Sequence, residues 1–311
     1  MANSLDITNV ASLQAYVQDH SEDLITRLFF GFESAMYCTP HEGVKGKKSL
    51  TSMVIGNLVK RYSATFQPLT NSHVFKQRNL EVFDCKVDMT IVPKDFEGTY
   101  LGMMRQKGQN SMDLPFEGAI LQGSIDKIAQ EQEIAFHQAV KTGSPADGDL
   151  LSVMFDRTKE LIKDNIADLT PVATGALTVS NAFTKIEEVY AAVPKVYKKA
   201  GIECFISVNT AELARKQYRA DYGKYVGNKD TNIDFGIPGV NFGILAGFPD
   251  DCILFTPKEN IHYGYDAPAD SRSFNFEQED RKIKWWLDFK MGVNFGVIHP
   301  DVMVVNDRFT V

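Results

Sequence analysis

The sequence predicts an α+β protein with an elongated body. Two long alternating segments, at 83–91 and 282–293, predict long strands near opposite ends of the chain. One helical segment at 115–141 predicts a rod roughly 40 Å long at 1.5 Å per residue. Between the rod and the second long strand, residues 176–268 show a helix, strand, helix order that predicts a compact α+β unit. A rod beside a long ribbon is unlike a globular enzyme core.

Composition limits the class of protein. The 311 residues are 44% hydrophobic and 23% charged, which is typical of a folded chain with a substantial core. A net charge of -7 and a pI near 5.4 disfavour a protein that grips DNA across its surface, although DNA could be enclosed without sequence-specific binding. No segment approaches the ~20 apolar residues that span a bilayer. We therefore expect a soluble product with no membrane partner.

The four cysteines are far apart, and none belongs to a C-x-x-C pair, so the usual zinc and dithiol signatures are missing. We expect buried free thiols of a reducing cytoplasm. The cysteines are Cys38, Cys85, Cys204 and Cys252.

Residues 1–40 are predicted to be an arm holding two short helices. Ser21 is a candidate cap for the second helix, and Gly31 is expected to end it. A segment this short has little core of its own, so its apolar face should pack on the rest of the chain or on a neighbour. The residues of that face are Leu24, Ile25, Leu28 and Phe29.

Residues 41–80 are predicted to form a long loop or a hairpin. The first part, 41–48, is polar, basic and interrupted by glycines, and long excursions of this kind are usually functional. The middle carries an apolar surface suited to docking on a neighbouring subunit, and the alternative is a hairpin that folds back on its own subunit. The apolar residues are Val54, Ile55, Leu58, Val59, Tyr62 and Phe66.

The two long strands are expected to pair into one ribbon. Trp285 is in phase with the apolar face of its strand, which predicts a core position, whereas Trp286 breaks the alternation and is expected to cover a second apolar surface or a subunit contact. The helix at 115–141 should begin at Pro115 and end before the Gly-Ser-Pro at 143–145. Gln132 interrupts its apolar stripe.

Within 176–268, an apolar helical stripe at 183–197 is expected to be divided by Pro194 and ended by Gly201. The segment 204–208 is predicted to be a strand, and 209–212 the capping box of the next helix. A loop at 223–247, rich in glycine and aromatic residues, precedes a short strand at 252–255.

Catalytic and ligand motifs are incomplete. The stretch Gly43–Ser49 resembles a phosphate loop, but His41 and Lys48 stand where glycine and serine or threonine are required. The segment 266–277 has the length of a calcium loop, with Pro268 at a ligand position. Neither H-E-x-x-H nor G-x-S-x-G occurs. We therefore predict no catalytic, cofactor-binding or metal-binding residues.

The order of these parts resembles the major capsid proteins of tailed bacteriophages, whose fold is shared with encapsulins and with the floor of herpesvirus capsids. The most similar local passages are Gly247–Asp266 and the Gly-rich, Pro-Asp segment Gly292–Asp301. The resemblance implies an N-terminal arm, an extended loop, a peripheral domain with a long spine helix and β ribbon, and an axial α+β domain. The corresponding segments are 1–40 for the arm, 41–80 for the extended loop, 81–175 and 269–311 for the peripheral domain, and 176–268 for the axial domain.

The resemblance implies a structural subunit that assembles as hexamers and pentamers into an icosahedral head around double-stranded DNA. It implies scaffolding, portal and decoration proteins as partners, no cofactor, and assembly in the host bacterial cytoplasm. The short arm stands where several relatives carry a long scaffolding segment, which implies a separate scaffolding protein or a processed form. The candidate inter-subunit contacts are Leu24, Leu28, Phe29, Lys45, Lys47, Lys48, Val54, Leu58, Tyr62, Phe66 and Trp286.

Two alternative functions and one further chemical hypothesis stay open at this stage. An encapsulin, a cellular compartment of the same fold, would carry a groove for cargo peptides. A small-molecule enzyme with an α+β domain would need a motif that the sequence does not show. Some shells of this family also join subunits by a Lys to Asn isopeptide bond, for which the candidate lysines are Lys45, Lys47, Lys48 and Lys60.

Overall fold

The computed structural model describes most of the chain and confirms the α+β class. The described residues are 10–55, 59–65, 73–92, 116–141, 150–153, 157–222, 236–266, 274–280 and 282–310. The helices are α1 (Val10–Phe30), α2 (Phe116–Gln138), α3 (Thr158–Asp164), α4 (Ile166–Leu169), α5 (Ala182–Ala191), α6 (Lys195–Ala200) and α7 (Val208–Tyr222). The strands are β1 (Thr39–Glu42), β2 (Lys47–Ile55), β3 (His73–Glu81), β4 (Phe83–Ile91), β5 (Ile202–Ser207), β6 (Val240–Leu245), β7 (Leu254–Thr256), β8 (Ile261–Asp266), β9 (Phe274–Glu279), β10 (Lys282–Phe295) and β11 (Val304–Val305).

The peripheral sheet is organised around β10, which has 14 residues. Strand β4 pairs antiparallel with 283–291 along one side of β10, which confirms the predicted ribbon. Along the other side, β9 pairs with the first half of β10 and β8 with the second half. Strand β1 pairs in parallel with β8 and completes the five strands.

Two helices cover this sheet. The spine helix α2, predicted at 115–141, lies beside α1, and both contribute to the core that the sheet buries. Trp285 is 1% exposed within this core, as its phase predicts. Phe29 of α1 stacks on Tyr265 of β8 with ring centroids 4.9 Å apart. Pro115 and residues 143–145, expected to begin and end the spine helix, lie outside the described residues.

Helix α1 consists of two segments that meet at His20, whose φ of -121° is not helical. This break matches the predicted pair of short helices. The helix ends before Gly31, whose N–H bonds to the Arg27 carbonyl at 2.8 Å. A side chain on Gly31 would overlap that carbonyl oxygen, so the chain needs glycine here to leave the helix.

The axial sheet has the order β11-β7-β5-β6 and packs against α5 and α7. Pro194 separates α5 from α6, and Gly201 ends α6 with a φ of 100°, as predicted. Two local predictions were wrong. Ser207 caps α7, because its Oγ accepts the N–H of Thr210 at 3.1 Å, so the cap lies two residues before the predicted Asn209. Strand β6 occupies part of the predicted loop at 223–247, where it pairs in parallel with β5.

The chain crosses between the two sheets more often than the predicted segments imply. Strand β8 falls within 176–268 but belongs to the peripheral sheet, and β11 falls within 269–311 but belongs to the axial sheet. Asn306, next to β11, is fully buried and bonds to Thr174 Oγ1 at 3.0 Å and to the Asp251 carbonyl at 2.7 Å. Strand β11 and Asn306 are therefore part of the axial domain.

All four cysteines are buried free thiols, as expected. Burial raises the pKa of the Cys85 and Cys252 thiols to about 12, so these side chains behave as small apolar groups. Among the described residues, no helix is long and apolar enough to cross a membrane.

Candidate inter-subunit surfaces

The excursion between β1 and β4 is a long antiparallel hairpin. Strands β2 and β3 pair in register from Lys47 with Glu81 to Ile55 with His73. Nine residues at ~3.4 Å each make this two-stranded arm about 30 Å long. In the described part of the chain the arm forms a sheet of its own, with no third strand. Residues 47–55 and 73–81 therefore form a hairpin, which was predicted as the alternative to an irregular loop.

Two glycines hold the base of the hairpin against the peripheral sheet. Gly264 of β8 and Gly292 of β10 face each other in the sheet register. A Cβ on Gly292 would overlap the main-chain oxygen of Glu81, and a Cβ on Gly264 would lie 2.9 Å from Val82 Cγ1. The missing side chains therefore leave the space in which residues 81–82 cross the sheet.

Hydrogen bonds secure the same end. Asn294 donates from Nδ2 to the Asn79 carbonyl at 2.8 Å, and the Val82 N–H donates to the Gly46 carbonyl at 2.9 Å. Arg78 reaches out from β3 and donates to Asn165 Oδ1 at 2.9 Å. The base of the hairpin is thus a fixed part of the subunit.

The distal part of the hairpin exposes apolar side chains. Met53 and Phe75 face each other across the two strands and are 48% and 70% exposed. Val59 and Tyr62, further along, are 95% and 92% exposed. Single exposed apolar residues are ordinary, but several on one projecting arm indicate a contact surface. Tyr62 therefore remains a candidate subunit contact.

Three other predicted contacts of the hairpin lie wholly or partly outside the described residues. Val54 lies in β2 opposite Val74, and its side chain lies outside the described residues, as do Leu58 and Phe66 entirely.

Three of the four predicted lysines lie at the base of the hairpin, and Lys60 lies in the segment 59–65 that follows β2. Lys47 pairs with Glu81 at 3.1 Å between Nζ and Oε1. Lys48 donates to His41 Nδ1 at 2.9 Å. Lys45 and Lys60 are exposed. Nothing in this placement selects one lysine for a covalent bond.

Leu24, Leu28 and Phe29 were wrongly predicted as inter-subunit contacts. They are 0%, 1% and 1% exposed and belong to the core of their own subunit. The reason is that α1 lies against the spine helix and the sheet, which bury its apolar stripe completely. Trp286 differs, since it is half-buried on the outer side of β10, opposite Asp88 of β4. It remains a candidate contact.

A buried polar cluster joins the end of the N-terminal arm (residues 1–40) to the spine helix. Ser34 donates from its N–H and its Oγ to the Glu133 carboxylate, at 2.9 and 2.8 Å. His137 contacts Ser34 Oγ through Nε2 at 2.7 Å and Thr158 Oγ1 through Nδ1 at 2.9 Å. The Gly247 N–H, from the axial domain, also bonds to Glu133. Sequence reasoning missed this cluster.

The cluster has the residue types of a hydrolase, but its burial argues for a structural joint. Ser34, Glu133 and His137 are 1%, 5% and 2% exposed, so a substrate has no access to them in this conformation. Burial lowers the pKa of His137 to about 3, which keeps the ring neutral. Burial also raises the pKa of Glu133, against the opposing hydrogen bonds from Ser34. The described residues contain no group of three or more potential metal ligands.

The comparisons with known proteins agree with this geometry. No protein-family model and no curated protein matches the sequence. Among solved structures, a chain of the satellite phage P4 procapsid is similar at 13% identity, with 92% of this chain and 98% of that chain covered and a TM-score of 0.54. A chain of the empty GTA particle capsid is 14% identical, with 88% of each chain covered and a TM-score of 0.54. A chain of Mycobacterium phage Ogopogo is 14% identical, with 88% and 90% covered and a TM-score of 0.52.

These likenesses cover most of each chain and define the class of fold. The chain has the fold of phage capsid subunits, as its order of parts predicts. The extended hairpin, the long ribbon beside the spine helix and the axial sheet are the parts of that fold observed here.

Proposed function

We propose that this chain is the major capsid protein of a tailed phage, which assembles as hexamers and pentamers into an icosahedral head. The observation that carries the proposal is the fold, which matches capsid chains over 88–92% of this chain. The projecting hairpin supports it, because an exposed apolar arm is explained by a neighbouring copy. The proposed role needs no catalytic residue, metal or cofactor.

The hairpin is proposed to lie across a neighbouring subunit. A two-stranded hairpin is at best marginally stable in water without a layer to cover it. The base of the hairpin has that support from Gly264, Gly292 and Asn294, whereas Met53, Phe75 and Tyr62 are exposed. A second copy of the chain would supply the missing layer.

The wider setting follows from the same proposal. The head would enclose double-stranded DNA without sequence-specific contacts, which fits a net charge of -7 on the chain. Scaffolding, portal and decoration proteins would be its partners, and assembly would take place in the host bacterial cytoplasm before the protein resides in the virion. The phage and GTA particles among the similar structures support a phage head over a cellular compartment.

The oligomeric state tests this proposal. The full chain would be expressed alone and with the genes that flank it, then examined by size-exclusion chromatography and negative-stain microscopy. Hexamers, pentamers or closed particles are the expected result. A compact monomer at every concentration and in both expressions would overturn the proposal.

Covalent joining of subunits is a separate part of the proposal. A Lys to Asn isopeptide bond from Lys45, Lys47, Lys48 or Lys60 would give bands above the monomer on denaturing gels of mature particles. A single monomer band would exclude it.

A further inference from the structure

Two histidines meet at the base of the hairpin, although they are 221 positions apart in the chain. His41 is on β1 and His262 on β8, and these strands pair in parallel at the edge of the peripheral sheet. His41 Nε2 lies 2.9 Å from His262 Nδ1, and Lys48 Nζ of β2 lies 2.9 Å from His41 Nδ1. One chain of hydrogen bonds therefore links the beginning of β2, at the base of the hairpin, to β1 and β8 of the peripheral sheet.

The chemistry of lysine sets the direction of this chain. A protonated lysine amine can only donate, so His41 Nδ1 must accept and His41 must carry its proton on Nε2. His41 Nε2–H then donates to His262 Nδ1, which makes His262 a neutral ring with its proton on Nε2. Both rings are neutral in this arrangement, and every contact pairs one donor with one acceptor.

We propose that Lys48, His41 and His262 form a proton-sensitive latch that fastens the hairpin base to the sheet at neutral pH and opens in mild acid. A proton added to His41 would turn the acceptor facing Lys48 into a donor. A proton added to His262 would do the same to the acceptor facing His41. In the first case the hydrogen bond is replaced by two facing N–H groups and two positive charges at close range. In the second case two N–H groups face each other, and the ring of His262 carries one positive charge.

The surroundings favour the neutral rings. Burial is the main cause that lowers the pKa of His262 to about 4, and the electrostatic effects of a proton on His41 and of Lys48 add to it; burial and then Lys48 lower the pKa of His41. Lys48 is the one charged side chain among the described residues that acts on both rings. Of the carboxylates at the hairpin base, Glu81 pairs with Lys47, and neither Glu81 nor Glu42 contributes to the pKa shift of either ring.

The packing on the far side of His262 restrains its ring. A Cβ on Gly296 would lie 2.6 Å from His262 Nε2, so glycine leaves the space that the ring occupies. On the hairpin side, the turn between β1 and β2 contains Gly43, with a φ of 70°, and Gly46, and a side chain on either would meet no atom within 4 Å. The turn is therefore open enough to adjust when the latch opens.

The sign of the pH effect follows from the lowered pKa values. Histidine in an unfolded or opened chain binds a proton near pH 6.5, whereas the latched rings bind one only at lower pH. The latch therefore contributes its full stabilisation above about pH 6.5 and loses it as the pH falls toward 4. For a ring that binds a proton near pH 6.5 when open and near pH 4 when latched, as His262 does, the opening equilibrium at pH 5 changes roughly thirty-fold, so we expect at least about tenfold more opening of the hairpin base at pH 5.

Amide hydrogen exchange on the unassembled subunit tests the latch. Protection of peptides from β2 and β3 would be compared at pH 7.5 and 5, after correction for the chemical exchange rate at each pH, with the β4–β10 ribbon as the internal reference. The latch predicts at least about tenfold greater loss of protection in the hairpin base than in the ribbon. The variant His41→Gln/His262→Gln, which cannot take up a proton there, should lose this difference.

Nuclear magnetic resonance titration of the histidine rings gives an independent reading. In the wild type both rings should titrate below pH 6.5, and Lys48→Met should raise the pKa of His41. Ring titration near 6.5, an equal response of hairpin and ribbon, or an acid response that survives the double variant would each overturn the latch. If the double variant does not fold, the wild-type titration still decides. The use of the latch in assembly rests on the proposed function, but this test needs no assembled shell.

Discussion

Helix α1 and the β2–β3 hairpin both carry apolar side chains that the sequence leaves without an obvious partner, and the fold treats them in opposite ways. The apolar stripe of α1 is buried completely in its own subunit, with Leu28 at 1% exposure. The distal hairpin keeps Tyr62 at 92% exposure. The exposure differs because α1 packs against the spine helix and the peripheral sheet, whereas the distal hairpin extends away from that sheet and has no layer of its own subunit to cover it in the described residues.

This contrast shows that an apolar stripe predicts burial without identifying what buries it. A helix 21 residues long can reach a sheet face nearby in the same chain. A two-stranded arm about 30 Å long has no third layer of its own. Exposed apolar residues at the end of such an arm are therefore better evidence for a neighbour than an amphipathic helix is.

The largest expected effect on the free subunit is from Leu28→Ala in α1. Removing a fully buried leucine side chain should lower the free energy of unfolding by about 2–5 kcal/mol. Denaturant unfolding measures this loss. The matched control, Tyr62→Ala, removes an exposed side chain and should change the value by less than about 0.5 kcal/mol. Equal losses in the two variants would contradict the contrast between α1 and the hairpin.

A smaller loss is expected from Gly292→Ala at the hairpin base. The added methyl group would overlap the Glu81 main-chain oxygen, so either β10 or the crossing segment must shift, at a cost of about 1–3 kcal/mol. Unfolding measurements and hydrogen exchange of β3 should both report it. Gly46→Ala is the control, since its methyl group would meet nothing within 4 Å. The base is not held by close packing if both variants behave alike.

The buried joint predicts a similar or slightly smaller loss for Ser34→Ala. This change removes the Oγ–H bond to Glu133 and the Nε2 contact of His137, and leaves buried polar groups with fewer partners, which costs about 1–3 kcal/mol. Thermal or denaturant unfolding would measure it. Ser63→Ala is the control. Among the described residues this exposed serine bonds to Thr65, and its replacement should change the free energy of unfolding by less than about 0.5 kcal/mol.

The smallest effect on subunit stability, but a clear effect on assembly, is expected from Tyr62→Ser. The free energy of unfolding should stay within about 0.5 kcal/mol of the wild type. If Tyr62 is buried against a neighbour, losing that burial weakens the contact by about 1.5 kcal/mol or more, so assembly should need about tenfold more protein. Light scattering against concentration measures this threshold. Val196→Ser on α6, a residue 74% exposed, is the control outside the hairpin.

Sequence periodicity predicted the elements whose signal is contiguous. The ribbon partners 83–91 and 282–293 and the spine helix each repeat one apolar spacing over many residues, and each was found. Pro194 and Gly201 were also predictable, because backbone chemistry acts locally.

Features that depend on distant parts of the chain left no such signal. His41 and His262 meet across 221 positions, and Ser34 and Glu133 across 99. Gly264 and Gly292 are explained only by the strand that crosses them. Phe29 was likewise named as a candidate inter-subunit contact, because its ring partners Tyr265 and Phe289 lie more than 230 residues further along the chain.

The most direct test of the central claim is hydrogen exchange of the hairpin in free subunits and in assembled shells. The claim is that the distal hairpin depends on a neighbouring copy while its base does not. Peptides from 59–65 and from the distal ends of β2 and β3 should gain protection on assembly, with the β4–β10 ribbon unchanged. Equal protection of the distal hairpin in both states would mean that it never depended on a neighbour, and would contradict the account.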